Sequence, residues 1–103
     1  FTESDDLRAV LPHTDVLYVT RVQKERFTSL ADYEKNALGY ELTPKLLSEA
    51  KTKPSLLILH PLPRTSEIHP AVDSDPRACY FRQMKCGLWV RMALLALALG
   101  LDA

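Results

Sequence analysis

The sequence carries no excess of either charge. Its 103 residues hold 13 Lys and Arg against 13 Asp and Glu, so the formal net charge at pH 7 is zero. A chain without a basic surplus is not built to bind nucleic acid or an anionic membrane through counterion release. Long apolar runs are lacking too. The longest, Met92 to Leu99, is under half of the roughly 20 residues a membrane span needs. Cysteine is scarce: Cys79 and Cys86 are the two present, and no His or Cys stands at metal-ligand spacing from them. They read as two thiols of a reducing compartment. A signal peptide is not expected, because Phe1-Thr-Glu-Ser-Asp-Asp6 is acidic where a basic segment belongs. No Gly-rich phosphate loop, no Ser/His/Asp arrangement and no metal motif appears. The opening on Phe1-Thr2, without methionine, reads as a segment of something longer.

What is present is ordinary globular composition, 47% hydrophobic and 25% charged, enough for one small domain. Thr2 to Leu11 reads as a short helix, capped by Thr2 or Ser4 and ended by Pro12. Asp15 to Thr20 reads as a strand, apolar on both faces from Val16 to Val19, as a parallel sheet covered on both sides requires. Ser29 to Lys35 has the spacing of a helical turn or two. Thr43-Pro44 is a cap followed by proline at the first helical position, and the helix it starts closes at Lys53-Pro54. Ser55 to Leu59 is a second short strand. His60 to Pro70 is a proline-stiffened loop. Asp75-Pro76 starts a last helical stretch that Gly100 ends, and Gly87 inside it is a point where it can split.

This alternation is that of an α/β fold with a parallel sheet. Two strands do not make a stable sheet alone, and Leu88 to Leu99 is apolar on nearly every side. Nothing else in the chain is large enough to bury that helix. It is expected to dock on a second domain or a missing half, the alternative being a helix packed on the sheet of a compact small domain.

Ligands of open parallel sheets sit at the C-terminal ends of the strands, and two unusual segments lie there. Thr20 to Arg26 leaves the first strand. In it, Arg21 can grip a carboxylate through two parallel hydrogen bonds, Gln23 can add an amide contact on the same side, and Glu25 can orient Arg21. The same charge pattern also fits a solvated, salt-bridged turn. His60-Pro-Leu-Pro-Arg64 leaves the second strand. Its prolines remove backbone donors and leave carbonyls free to accept from an uncharged NH2 group, and Leu62-Pro63 is a bond that can be cis. An ordinary stiff loop is the alternative. His60 alone fits a packed or capping residue better than a base. Glu67, Asp73 and Asp75 read as solvated loop carboxylates, and Arg82, Lys85 and Arg91 as surface or domain-contact charges.

Four segments in register resemble a known family. Asp15-Val-Leu-Tyr-Val-Thr-Arg-Val-Gln-Lys-Glu-Arg-Phe27, His60-Pro-Leu-Pro-Arg64 with Glu67-Ile68, Asp73-Ser-Asp-Pro-Arg-Ala-Cys-Tyr-Phe-Arg-Gln83 and Val90-Arg-Met-Ala-Leu-Leu-Ala96 closely resemble aspartate carbamoyltransferases. They are most like the domain in the eukaryotic multifunctional pyrimidine-synthesis proteins, fungal ones included. The resemblance implies an incomplete, Rossmann-like aspartate domain over residues 1–86. It implies a terminal helix over 87–103 that returns to a carbamoyl-phosphate domain outside this chain. It implies transfer of the carbamoyl group of carbamoyl phosphate to the amine of L-aspartate, without cofactor or metal, in a cytoplasmic homotrimer, with other pyrimidine-synthesis domains as possible chain neighbours. No nucleic-acid or membrane partner is implied. Carried over by motif, Arg21 and Gln23 bind aspartate, Glu25 holds Arg21, and Leu62 and Pro63 present carbonyls to the carbamoyl group across a cis bond.

The departures are specific. The family's phosphate-gripping Ser-Thr-Arg-Thr motif is absent, as are its other carbamoyl-phosphate Arg and His residues and the Lys-bearing loop lent by a neighbouring subunit. Thr65-Ser66 and Thr28-Ser29 do not stand in for it, and no residue of this chain is assigned a catalytic role. Asn36 to Tyr40 matches no pattern of the family. Activity of the segment alone is not expected. An ornithine carbamoyltransferase is disfavoured by Pro61, where that family has cysteine. A non-catalytic module that keeps the fold for assembly is the third reading.

Overall fold

The computed structural model describes residues 1–21, 28–29, 31 and 41–101. The expected helical turn at 29–35 and the segment Asn36 to Tyr40 lie outside the described residues for the most part. So do Gln23 and Glu25.

Helix α1 is shorter than the sequence suggests, spanning Leu7–Val10. Neither Thr2 nor Ser4 caps it. Asp6 does, its side chain accepting from the Ala9 N–H at 3.1 Å, while Ser4 accepts from Asp6 one step earlier. Pro12 then falls in a single 3₁₀ turn, Leu11–His13.

Strand β1 (Val16–Tyr18) and strand β2 (Leu57–Leu59) pair in parallel, with Val16 opposite Leu57 and Tyr18 opposite Leu59. The ladder reaches one residue further through Val19 N–H to the Leu59 carbonyl, 2.9 Å. Only one face of this pair is covered: Ile58 and Val19 are buried, but Val16, Tyr18 and Leu57 are exposed. The expectation of burial on both faces is therefore not met by the described residues.

Between the strands, helix α2 (Pro44–Glu49) starts as the sequence predicts, with the Thr43 hydroxyl accepting from Leu46 N–H at 3.1 Å. It ends before Lys53-Pro54. Lys51 takes φ 50, and the N–H groups of Lys51 and Thr52 close back onto Ser48 and Leu47, a left-handed C-terminal cap built without glycine. Leu46, Leu47 and Ala50 face the core, which also holds Leu11, Leu42, Leu56, Ile68, Val72 and Tyr80.

The last helix begins later than Asp75-Pro76. Pro70–Ser74 forms a 3₁₀ turn capped by His69. Asp75 then turns back to accept from the backbone N–H and the guanidinium of Arg77. The next residues are used as sheet edge: Ile58 N–H donates to the Arg77 carbonyl and Cys79 N–H to the Ile58 carbonyl, both 2.9 Å. A backbone paired beside β2 cannot also be helical, so helix α3 runs from Tyr80 to Ala98. It does not divide at Gly87. A single glycine costs about 1 kcal/mol in a helix, and nothing crowds this one: an added Cβ would meet only the Arg91 guanidinium, at 3.8 Å. Gly100 ends α3 with φ 65, its N–H donating to Leu97 and that of Leu101 to Ala96.

From Leu88 onward α3 is bare. Leu88, Trp89, Val90, Met92, Leu94, Leu95 and Leu97 are all more than half exposed. Among the described residues, no helix is long and apolar enough to cross a membrane.

Candidate functional site

Parallel pairing decides where the two singled-out segments go. Thr20-Arg21 leaves the end of β1, and His60-Pro61-Leu62-Pro63 leaves the end of the adjacent β2. Both open on the same edge of the sheet. Arg21 is exposed there. Leu62 is half-buried against the core and Pro63 is exposed. The Leu62-Pro63 bond is cis, and Leu62 has φ 49.

The loop is fixed by buried polar contacts. His60 is 1% exposed and Glu67 4%. The His60 ring meets Glu67 Oε1 at 2.7 Å through Nε2 and accepts the Leu62 N–H on Nδ1 at 2.8 Å. The other Glu67 oxygen accepts from the Thr65 N–H at 3.1 Å and the Thr65 hydroxyl at 2.7 Å. Burial alone pushes the Glu67 carboxyl up, but the bonds from Thr65, the backbone and His60 outweigh it and hold it below its ordinary value. Solvation is thus the wrong reading for Glu67. Gln83 on α3 joins the two strand ends, accepting the His60 N–H at 2.9 Å and donating to the Tyr18 hydroxyl at 3.3 Å.

Arg64, directly after Pro63, is committed elsewhere. Its guanidinium makes a two-pronged contact with Asp73, the second prong at 2.6 Å, and the Tyr80 hydroxyl donates to the same carboxylate. The bond from Arg64 holds Asp73 below the usual carboxylate range. Burial first, then the Asp73 carboxylate, pushes Tyr80 up to about 12. Asp75 is held low in the same way by Arg77, whose guanidinium also donates to Thr52 at 2.6 Å. Asp73 and Asp75 are therefore ion-pair partners of the fold and not solvated carboxylates. Sequence reasoning missed all three acids and Gln83: Asp73, Gln83 and the His60 contact of Glu67 depend on residues seven or more positions away, whereas Asp75-Arg77 is a local pair that the sequence could have offered. A cavity of about 760 Å³ lies elsewhere, between α1, β1 and Glu41-Leu42-Thr43. It contains none of the edge residues.

These pKa directions fix the pH response. Glu67, Asp73 and Asp75 are lowered from ordinary values of 4.5, 3.8 and 3.8, so the unfolded chain takes up protons before the folded one. Their contribution to stability is complete above the ordinary values and is lost as pH falls through the lower folded ones. Tyr80 works in the opposite sense: its contribution holds below its ordinary value of 10 and is lost as pH rises towards about 12. Thermal unfolding of the full-length protein should show a falling Tm between about pH 5 and pH 2. A flat Tm across that acid range would contradict the three pairings.

The sequence profile of the aspartate/ornithine carbamoyltransferase Asp/Orn-binding domain matches residues 1–98. The chain belongs to that family. The aspartate carbamoyltransferase catalytic subunit of Alkaliphilus oremlandii is 57% identical over 99 residues, covering 96% of this chain and 29% of its own length. The multifunctional protein pyr1-3 of Dictyostelium discoideum is 55% identical over 98 residues, covering 95% of this chain and 4% of its own. Among solved structures, Trypanosoma cruzi aspartate transcarbamoylase in complex with N-(phosphonacetyl)-L-aspartic acid is similar with a TM-score of 0.73 at 42% identity, covering 85% of this chain and 27% of that one. The chain thus spans less than a third of the length of these relatives. The parallel α/β architecture ending in a long helix is that of the carbamoyltransferase relatives, as the motifs led one to expect.

Proposed function

We propose that this chain supplies the aspartate side of an aspartate carbamoyltransferase active site. The amine of L-aspartate attacks the carbonyl carbon of carbamoyl phosphate, forming the new C–N bond and a tetrahedral intermediate. The C–O bond to phosphate then breaks, the amine gives up a proton, and N-carbamoyl-L-aspartate and phosphate leave. Arg21 grips a carboxylate of aspartate, Gln23 contacts the same substrate and Glu25 holds Arg21. The carbonyls of Leu62 and Pro63 accept from the carbamoyl NH2. No catalytic side chain is assigned within these residues, and no metal or cofactor is required by the chemistry.

The observation that carries this reading is the parallel pairing of β1 and β2, which opens the Arg21 and Leu62-Pro63 segments on one edge. The domain division goes with it: residues 1–86 complete the aspartate domain, and 87–103 return along α3 to a carbamoyl-phosphate domain. The whole enzyme is a homotrimer in the cytoplasm, alone or within a pyrimidine-synthesis polyprotein. Two cysteines left as free thiols support a reducing compartment.

The test is the product. Supplied with carbamoyl phosphate, the full-length protein should convert L-aspartate to carbamoyl aspartate and leave L-ornithine unchanged. A side-chain carboxylate needs the Arg21 cation and an ornithine amine does not, so citrulline formation would move the chain to the sister enzyme. No product from either amino acid would leave a non-catalytic module.

A further inference from the structure

His60 is almost wholly enclosed, and both its ring nitrogens are engaged. A backbone N–H can only donate, so Nδ1, 2.8 Å from the Leu62 nitrogen, is an acceptor and carries no proton. The ring proton of the neutral imidazole then lies on Nε2 and is donated to Glu67 Oε1 at 2.7 Å. Neither nitrogen is left to take a proton from an attacking amine, which removes His60 as the base.

The ring is itself held from several directions. Glu67 is anchored through its second carboxylate oxygen by Thr65 and through its carbonyl by the Leu42 N–H at 2.9 Å. The His60 N–H is bound by Gln83. At the far end of this chain of contacts stands Leu62, whose φ of 49 lies in the left-handed region that a side-chain-bearing residue seldom occupies. An acceptor fixed at the Leu62 N–H, here His60 Nδ1, fixes the plane of the Pro61-Leu62 peptide and limits how far the Leu62 carbonyl can swing.

We propose that His60 is a positioning residue, whose Nδ1 holds the Leu62 N–H and so aims the Leu62 and Pro63 carbonyls at the carbamoyl group. Glu67 sets the tautomer that makes this possible, as outer partners of ring nitrogens do in other sites. The inference rests on the proposed carbamoyl-transfer reading and deepens it. It accounts for a buried His–Glu pair beside an exposed substrate loop: the pair acts through the backbone and touches no substrate.

Two substitutions separate the ring nitrogens. In His60→Asn the side-chain oxygen replaces Nδ1 and can still accept from Leu62, while the link to Glu67 is cut. In His60→Gln the amide replaces Nε2, keeping Glu67 and releasing Leu62. In the full-length enzyme both should fall below the parent. His60→Asn should nevertheless retain kcat/KM for carbamoyl phosphate about tenfold above that of His60→Gln, the loss expected when a hydrogen bond that sets geometry is removed. The KM for aspartate at saturating carbamoyl phosphate should move by less than about threefold in both variants. Equal activities in the two variants, or parallel changes in both KM values, would overturn the positioning role.

A second measurement needs no variant to fold. The ring nitrogen-15 shifts of His60 in the parent, at about neutral pH, should report an unprotonated Nδ1, and a protonated Nδ1 would overturn the proposal. A parent that makes no carbamoyl aspartate removes the functional reading and this role with it. An active parent with indistinguishable variants removes this role alone.

Discussion

Arg21→Ala in the full-length enzyme should lower kcat/KM for L-aspartate by about a hundredfold or more while leaving carbamoyl phosphate affinity within about threefold of the parent. The size follows from what the guanidinium does in the proposed site. A dicarboxylic substrate brings a side-chain carboxylate out of water, and removing the cation that meets it costs about 2–5 kcal/mol in desolvated pairs. The selectivity follows from position. Arg21 leaves β1, whereas the carbonyls assigned to the carbamoyl group leave β2, so the two substrates are held by different strands. Arg21→Lys should recover only part of the loss, because an ammonium cannot make two parallel bonds to one carboxylate. Measuring the KM of each substrate at saturation of the other, with direct binding of carbamoyl phosphate by calorimetry, checks both halves. Equal weakening of both substrates would remove the aspartate-gripping role from Arg21.

The framework of this site was legible because its signals are local. A β-branched apolar run, a Thr-Pro helix start and a Pro-rich exit each act over a few residues, and β1, α2, β2 and the shared edge followed from them. Helix α3 was misplaced at its start for a non-local reason. Asp75-Pro76 has the chemistry of a cap, but Arg77 to Cys79 are claimed by Ile58 across the sheet edge, and no spacing in the sequence announces that partner. The same holds for the acids. Asp73 meets Arg64 nine residues before it and Tyr80 seven after, brought together only when the 3₁₀ turn and the α3 start pack on the loop. Glu67 lies seven residues from His60, a separation at which neither a helix nor a strand brings two side chains into contact. The burial of both is set by the turn between them.

The fate of those acids bears directly on the phosphate. Arg64, which follows directly on the loop at the site edge, is tied to Asp73, and Arg77 is held by Asp75 and Thr52 on the side where β2 begins, so neither is available to neutralise a departing dianion. The Ser-Thr-Arg-Thr signature that would do so is not in the sequence. Electrostatic stabilisation of the leaving group is usually the largest single contribution to such a reaction. This chain alone should therefore form no detectable carbamoyl aspartate. Mixed with a polypeptide corresponding to the part of its relatives that it does not match, it should become active. In the proposed division, helix α3 would supply the drive for that union: seven large apolar side chains between Leu88 and Leu97 are more than half exposed, and burying each is worth about 1.5–3 kcal/mol. Trp89, the one tryptophan, lies in that stretch at 56% exposure. Labelled in this chain as fluorotryptophan, it should shift its fluorine resonance on mixing, in step with the appearance of product. A shift without product would show an assembled but silent site and would end the aspartate-side reading. Product from this chain alone would mean that phosphate is stabilised by residues to which neither the arginine pairings nor the motifs point.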